Sequence, residues 1–195
     1  MQKEFILASS SPRRQELLSA IGLKFKVCPS VNFSEKNTEN LAAHDLVLRN
    51  AIGKAEEIAE KFPDAIVLGV DTVGALDDHI LEKPKDYDDA FRMLQILQGN
   101  THEVLSGLCL ITNKKKSTYI ESTKITFLPL TDDEIHSYLK HNEWTDKAAA
   151  YAAQGLASIF IKGFDGDYFN VVGLPIYRLN LMLKDFDTSL LDIVQ

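Results

Sequence analysis

At 195 residues, of which 45% are hydrophobic and 25% charged, the chain is long enough to bury a core and too apolar to be disordered; its length fits one domain or two tightly joined lobes. The 21 basic and 28 acidic residues leave a net charge of −7, which opposes broad binding to nucleic acid phosphates. No stretch approaches the roughly 20 apolar residues of a membrane span, and charges stand between Met1 and Phe5 where a signal peptide needs an apolar run, so a cytoplasmic protein without membrane contact is expected.

Phe5-Ile6-Leu7-Ala8 suits a buried strand, and Ser9-Ser10-Ser11-Pro12-Arg13-Arg14 follows at once. Serine before proline predicts a helix start, the helical repeat of Leu17, Leu18 and Ile21 carries it on, and Gly22 stops it. Arg13 and Arg14 then lie in the first helical turn. A second strand is expected over Phe25 to Cys28. A polar segment holding Glu35 precedes a long helix with Leu41, Leu48, Ile52, Ala55 and Ile58 on one face, ending near Phe62-Pro63.

The continuous apolar run from Ala65 to Val70 predicts a central strand that delivers Asp71 and Thr72 at its carboxyl end. Asp77-Asp78-His79 reads as a hairpin tip. Lys83-Pro84 leads into a helix capped by Asp86 and stopped by Gly99. Strands over 103 to 112 and 117 to 128 are joined by Asn113-Lys114-Lys115-Lys116, and Thr131-Asp132-Asp133-Glu134 is a capping-box pattern. Beyond an Ala-rich loop from Lys147 to Gly155, strands are expected near 157 to 161 and 168 to 172, with Gly163 to Asp167 as a turn, and a last helix after Pro175. Interleaved helices and strands with hairpins indicate an α/β fold around a mixed sheet.

Cys28 and Cys109 lack a CxxC partner and read as reduced core thiols. His136 and His141, five apart, would diverge on one helix and do not form a metal pair. No GxxxxGK[ST] loop occurs, because Gly53-Lys54 runs into Ala55 inside a helical pattern.

Two fragments carry chemistry. Where a strand feeds a helix at Ser9 to Arg14, free backbone N–H groups, hydroxyls and guanidinium groups can hold phosphate; an ordinary cap with two solvated arginines is the alternative. Asp71, with Lys83 twelve residues on, offers a carboxylate for metal or water and a cation for phosphate, though an aspartate there can also be a simple turn residue. Lys54 on its helix, and Lys147 and Gln154 in their loop, gain meaning only from their neighbours. Basic groups and carboxylates without a Ser/His/Asp or Cys/His set suit phosphoanhydride hydrolysis.

In order and spacing, the segments Leu7-Ala8-Ser9-Ser10-Ser11-Pro12-Arg13-Arg14, Gly69-Val70-Asp71-Thr72-Val73, Glu82-Lys83-Pro84, Asp146 to Gly155 and Val171-Val172-Gly173-Leu174-Pro175 resemble the Maf family of nucleotide pyrophosphatases nearly end to end. The resemblance implies one Maf-like domain over residues 1–195 with two lobes around a deep cleft, an elongated fold similar to inosine triphosphate pyrophosphatases, dependence on Mg²⁺ or Mn²⁺, and a homodimer as the common state. It implies Asp71 as proton acceptor, Glu35 helping with metal or water, and Ser9, Arg13, Arg14, Lys54 and Lys83 contacting phosphates or shaping the site.

Arg13, Thr72 and Gln154 resemble the subgroup acting on dTTP and UTP, whose products are the monophosphate and pyrophosphate. An amide at Gln154 can pair with the carbonyl and imide N–H of a thymine or uracil edge. The competing readings are a pyrophosphatase preferring 7-methylguanosine triphosphate or ITP-like purines, and a non-catalytic nucleotide-binding regulator of septum formation. Three positions depart from the family: Gly74 replaces a usual valine, Glu82 a frequent glycine, and Ala149 a usual glycine whose backbone the added methyl would constrain.

Overall fold

The computed structural model describes residues 3–35, 41–113 and 115–194. Lys114 of the turn, and Met1 and Gln2 of the charged N-terminus, therefore lie outside the described residues. Seven strands form one sheet in the order β2-β1-β3-β5-β6-β7, with β4 paired to β3. They are β1 (Phe5–Leu7), β2 (Lys26–Val27), β3 (Ile66–Leu76), β4 (His79–Leu81), β5 (Thr101–Thr112), β6 (Lys115–Phe127) and β7 (Ile161–Asp165). Strand β1 runs parallel to β2 and β3, whereas β4 is antiparallel to β3 and β7 to β6, so the sheet is mixed and the class is α/β as expected.

The chain divides into two compact units: Met1–Asp71, Ser106–Glu121 and Gly173–Gln195 form the first, and Thr72–Leu105 with Ser122–Val172 the second. In the first, helices α1 (Pro12–Ala20) and α2 (Ala43–Lys61) join α6 (Ile176–Lys184) and α7 (Leu190–Ile193). One core packs Phe5, Leu7, Leu18, Leu68, Val70, Leu108, Leu174 and Leu179 together; another packs Ile6, Ala8, Ala51, Ala55, Ile58 and Val67. Alternate residues of β1 and β3 supply the two cores, as the two faces of a fully buried strand must.

The second unit holds α3 (Tyr87–Leu97), α4 (Asp132–Leu139) and α5 (Tyr168–Val172) around a core that includes Leu94, Leu97, Ile125, Phe127, Tyr138, Tyr151 and Phe160. The caps are those the sequence predicts. Asp86 accepts from the Asp89 N–H, and Thr131 and Glu134 form the full capping box. Asp77 at the hairpin tip has φ +51, and Gly22 and Gly99 past their helices have φ +77 and +67. Among the described residues no helix is long and apolar enough to cross a membrane.

Five expectations are corrected. Strand β3 does not end at Val70 but continues to Leu76 because its extension pairs with β4, so Asp71 and Thr72 sit mid-strand. Residues 168 to 172 are helix α5, and 157 to 160 belong to a 3₁₀ helix, Leu156–Phe160, rather than to strands. Gly163 to Asp165 extend β7, leaving only Gly166 in a left-handed turn, at φ +128. Ser11 holds the N-cap position of α1 but makes no side-chain capping bond. Its neighbour Ser9 accepts from the Ser11 N–H instead, at 3.3 Å. As for the cysteines, Cys109 is a buried thiol pushed up to about 12 by burial, while Cys28 is half-buried.

Candidate active site

The first unit builds its site on the contact between α2 and the sheet. A Cβ on Gly69 of β3 would lie 2.2 Å from the Ala51 carbonyl oxygen, and one on Gly107 of β5 would lie 2.3 Å from that of Val47. Only glycine lets the helix backbone settle this closely onto the strands. Asp71 stands two residues beyond Gly69, on the same face of β3. Asn50 and Lys54, one helical turn apart on α2, are thereby brought onto its carboxylate.

Lys54 Nζ donates to Asp71 Oδ1 at 2.6 Å, and Asn50 Nδ2 donates to Oδ2 at 3.0 Å. The same ammonium pairs with Glu35 Oε1 at 2.7 Å. The side chains of Lys54 and Asp71 are only 14% and 13% exposed, whereas that of Glu35 is 52% exposed, so the pair of carboxylates has one sheltered and one solvent-facing member. Among the described residues, no three or more His, Cys, Asp or Glu side chains cluster as a self-sufficient metal cage.

The β1–α1 connection forms the second part. Ser9 and Arg14 are both 8% exposed. Arg14 Nη1 donates to Ser9 Oγ at 2.8 Å and to the Val70 carbonyl at 2.9 Å, while Nε donates to the Gly173 carbonyl at 2.9 Å. One guanidinium thus ties the end of β1 to the residue preceding Asp71 and to the start of the α6 connection. Burial pushes Arg14 down to about 10; the charge of Asp71 opposes that shift, Arg13 adds to it, and Glu35 opposes it. Arg14 remains a cation at neutral pH, and its field reaches the Asp71 and Glu35 carboxylates. Arg13 beside it is half-buried.

The other predicted residues belong to the second unit. Thr72 is half-buried in β3, Lys83 is exposed between β4 and α3, and Gln154 is exposed in the 147–155 loop. That loop is shaped by its backbone. Ala149 and Ala150 take φ +59 and +61, so the strain anticipated for the methyl at position 149 is present. The loop is held from several sides. The Tyr151 hydroxyl meets His102 Nε2 at 2.8 Å, Tyr138 Oη accepts from the Ala152 N–H at 3.3 Å, and the Glu143 carboxylate accepts from the Leu156 N–H at 2.8 and 3.0 Å.

The three family departures meet in space. A Cβ on Gly74 would lie 2.8 Å from the Ala149 methyl, and the Ala149 N–H donates to the Glu82 carbonyl at 3.1 Å. The absence of a side chain at position 74 leaves room for the Ala149 methyl.

Sequence reasoning missed Asn50, His102 and Tyr138, which bond to the candidate residues and their loop. Asn50, 1% exposed in the middle of an otherwise apolar helix face, carried a readable sign: a buried amide needs partners. The others depend on contacts distant in sequence.

Residues 4–186 match the model of the family described as Maf-like protein. The chain is 45% identical over 191 residues to a dTTP/UTP pyrophosphatase of Bacillus cytotoxicus, covering 96% of this chain and 97% of that one. It is likewise 45% identical over 197 residues to a dTTP/UTP pyrophosphatase of Acetivibrio thermocellus, covering 96% and 98%. A solved nucleoside-triphosphatase, a dITP/XTP pyrophosphatase of Mycobacterium abscessus, aligns with TM-score 0.41 and 14% identity over 64% of this chain and 74% of its own, a likeness too remote to carry weight. A family pattern matched over almost the full length, with relatives this similar from end to end, makes the chain a member of the Maf family.

Proposed function

We propose that this chain hydrolyses dTTP and UTP at the α–β phosphoanhydride, releasing the nucleoside monophosphate and pyrophosphate, and so clears nucleotides from the cytoplasmic pool. Its relatives named dTTP/UTP pyrophosphatase support the substrate, and the subgroup residues Arg13, Thr72 and Gln154 agree with it. The observation that carries the chemistry is the convergence of Asp71, Lys54 and Glu35 on one another, fixed by Asn50.

Asp71 is the proton acceptor in this reading. Lys54 and Asn50 each occupy one of its oxygens, which sets the carboxylate plane while leaving acceptor positions for a water O–H. As the water oxygen bonds to the α-phosphorus, its proton passes to an Asp71 oxygen, the bond from the α-phosphorus to the bridging oxygen breaks, and negative charge gathers on the leaving pyrophosphate. Lys54, Arg13 and Lys83 are the cations assigned to the phosphate oxygens, acting where that charge develops. Ser9 and Arg14 shape the turn that presents the first N–H groups of α1.

Asp71 and Glu35 are hard oxygen donors, a pair that fits Mg²⁺ or Mn²⁺ when substrate phosphates and water complete the coordination. A divalent ion held there supplies Lewis-acid neutralisation of phosphate charge. Thr72 and Gln154 are assigned to the pyrimidine, with the Gln154 amide meeting both a carbonyl and an imide N–H. The family resemblance also supports a homodimer.

A substrate panel with and without Mg²⁺ tests this reading. Turnover of dTTP and UTP above that of all purine nucleotides, with equimolar pyrophosphate and monophosphate, is the expected result. Faster turnover of 7-methylguanosine triphosphate or ITP would overturn the substrate, and nucleotide binding without pyrophosphate release would overturn catalysis.

A further inference from the structure

Residues 30–35, which carry Glu35 to Lys54, have almost no regular structure of their own. An ion pair with a half-exposed carboxylate is a weak hold on a loop. Two sets of contacts from α2 hold this segment, beside an Arg49 Nη2 bond to the Ser34 carbonyl at 3.5 Å.

The first is Glu57. Its carboxylate accepts from the N–H groups of Asn32 and Phe33 at 3.0 and 2.9 Å and of Val31 at 3.3 Å. It also accepts from the Ser30 hydroxyl, from Asn32 Nδ2 at 3.2 Å and from Lys61 Nζ at 2.8 Å. Successive backbone N–H groups converging on one anion form a nest, here closed on a carboxylate of the protein itself. The Glu57 side chain is only 11% exposed. The second contact is apolar. The Phe33 ring lies against Gly53 so closely that a Cβ there would come within 2.0 Å of it, and the Arg49 guanidinium stands 5.4 Å from the ring centre.

Glu57 and Lys54 are three residues apart, hence neighbours on the surface of α2. The carboxylate that grips the loop and the ammonium that meets Glu35 are therefore registered by a single helical turn. With the Phe33 N–H pinned, Glu35 lies two residues on, within about 7 Å along the chain. We propose that Glu57 is the positioning residue for Glu35, setting that carboxylate beside Lys54 and Asp71 by gathering the backbone of residues 31–33, with Gly53 as the seat for Phe33. The proposal rests on the reading of Glu35 as a metal- or water-directing group. Lys61 first, then Ser30 and the Phe33 and Val31 amides, hold Glu57 well below the usual carboxylate range, so the clamp is charged at neutral pH.

A double-mutant cycle on the full chain tests it, with dTTP turnover and the Mg²⁺ concentration for half-maximal rate as readouts. Glu57→Gln is expected to lower kcat at least tenfold and to raise the half-saturating Mg²⁺ several-fold. In the Glu35→Gln background the same change should cost less than twofold, because the residue it positions has already been disabled. An equal loss in both backgrounds would make Glu57 merely structural and overturn the proposal, as would undiminished turnover in Glu57→Gln. A Glu35→Gln chain with full activity would show that the role given to Glu35 is wrong, and would take the proposal with it.

Gly53→Ala is the second variant, needed if Glu57→Gln fails to fold. Alanine is the better helix former, so α2 should hold while the new methyl displaces Phe33. It should reproduce the loss of turnover, and the loss should again vanish in the Glu35→Gln background. Full activity in Gly53→Ala, or a loss that persists without Glu35, would refute the positioning role.

Discussion

The two compact units hold their candidate residues by different means. In the first, charged and amide side chains do the fixing: Arg14 locks the Ser9 hydroxyl and the Val70 and Gly173 carbonyls, and Lys54 and Asn50 lock Asp71. In the second, the loop bearing Gln154 is set by left-handed backbone at Ala149 and Ala150 and by buried aromatic groups, with Tyr138 and the His102–Tyr151 pair bonding to it. A charge network fixes positions of reacting groups sharply but costs desolvation, whereas a packed backbone loop makes a shape that a base can enter. The two arrangements are thus open to separate damage.

The largest expected effect falls on the charge network. Asp71→Asn removes the proposed proton acceptor while its amide can keep one bond to the neighbouring side chains. Turnover should fall by about three orders of magnitude, the range of a lost general base, with thermal stability unchanged. Undiminished pyrophosphate release from this variant would remove Asp71 from the base role.

Arg14→Ala should act on the fold rather than on a single step. It leaves the Val70 and Gly173 carbonyls and the Ser9 hydroxyl without their shared donor, and should destabilise the protein by roughly 4 kcal/mol in urea unfolding. Arg14→Lys should recover little, because one ammonium cannot serve the same spread of acceptors.

The aromatic support of the second unit has a pH signature. Burial holds His102, 1% exposed, down to about 4 from an ordinary 6.5. Between those values the unfolded chain binds a proton that the folded chain refuses. The penalty is absent above pH 6.5, grows as pH falls, and is complete near pH 4, where it amounts to about 3 kcal/mol. Carboxylates such as Glu57 and Glu134, held low in the fold, also lose stability on acidification. Comparison with His102→Gln, whose amide can still meet Tyr151, isolates the histidine: the variant should lose less stability than the parent between pH 7 and pH 4.5.

The smallest effect sharpens the account of the departures. Gly74→Val should destabilise by about 2 kcal/mol through collision with the Ala149 methyl, and adding Ala149→Gly should restore most of it. Additive losses in denaturant melts would show that the two positions do not compensate each other.

Much of the fold was legible because its cues are local. Thr131 to Glu134 spells a capping box and Pro12 opens a helix whatever surrounds them, and the structure follows both. The misread stretches are those where local pattern is ambiguous. The short run Tyr168-Phe169-Asn170-Val171-Val172 became a helix, with Asn170 donating to the Val104 carbonyl and Thr123 hydroxyl. Strand β3 ran past Asp71 because its length is set by a partner strand, which no run of side chains announces.

The sequence by itself determined the α/β class, the family, and the residue types able to manage phosphate and water, since propensity, capping and motif spacing are properties of neighbours along the chain. Tertiary structure alone decided that Arg14 turns inward to hold backbone, that Asn50 and Lys54 share the two oxygens of Asp71, and that Glu57 gathers the loop before Glu35. Those assignments join groups many residues apart. The Asn50 and Lys54 contacts form because Gly69 and Gly107 let the α2 backbone rest on the sheet, and hydrogen bonds and ion pairs, which act over a few ångströms, join what such close approach brings together.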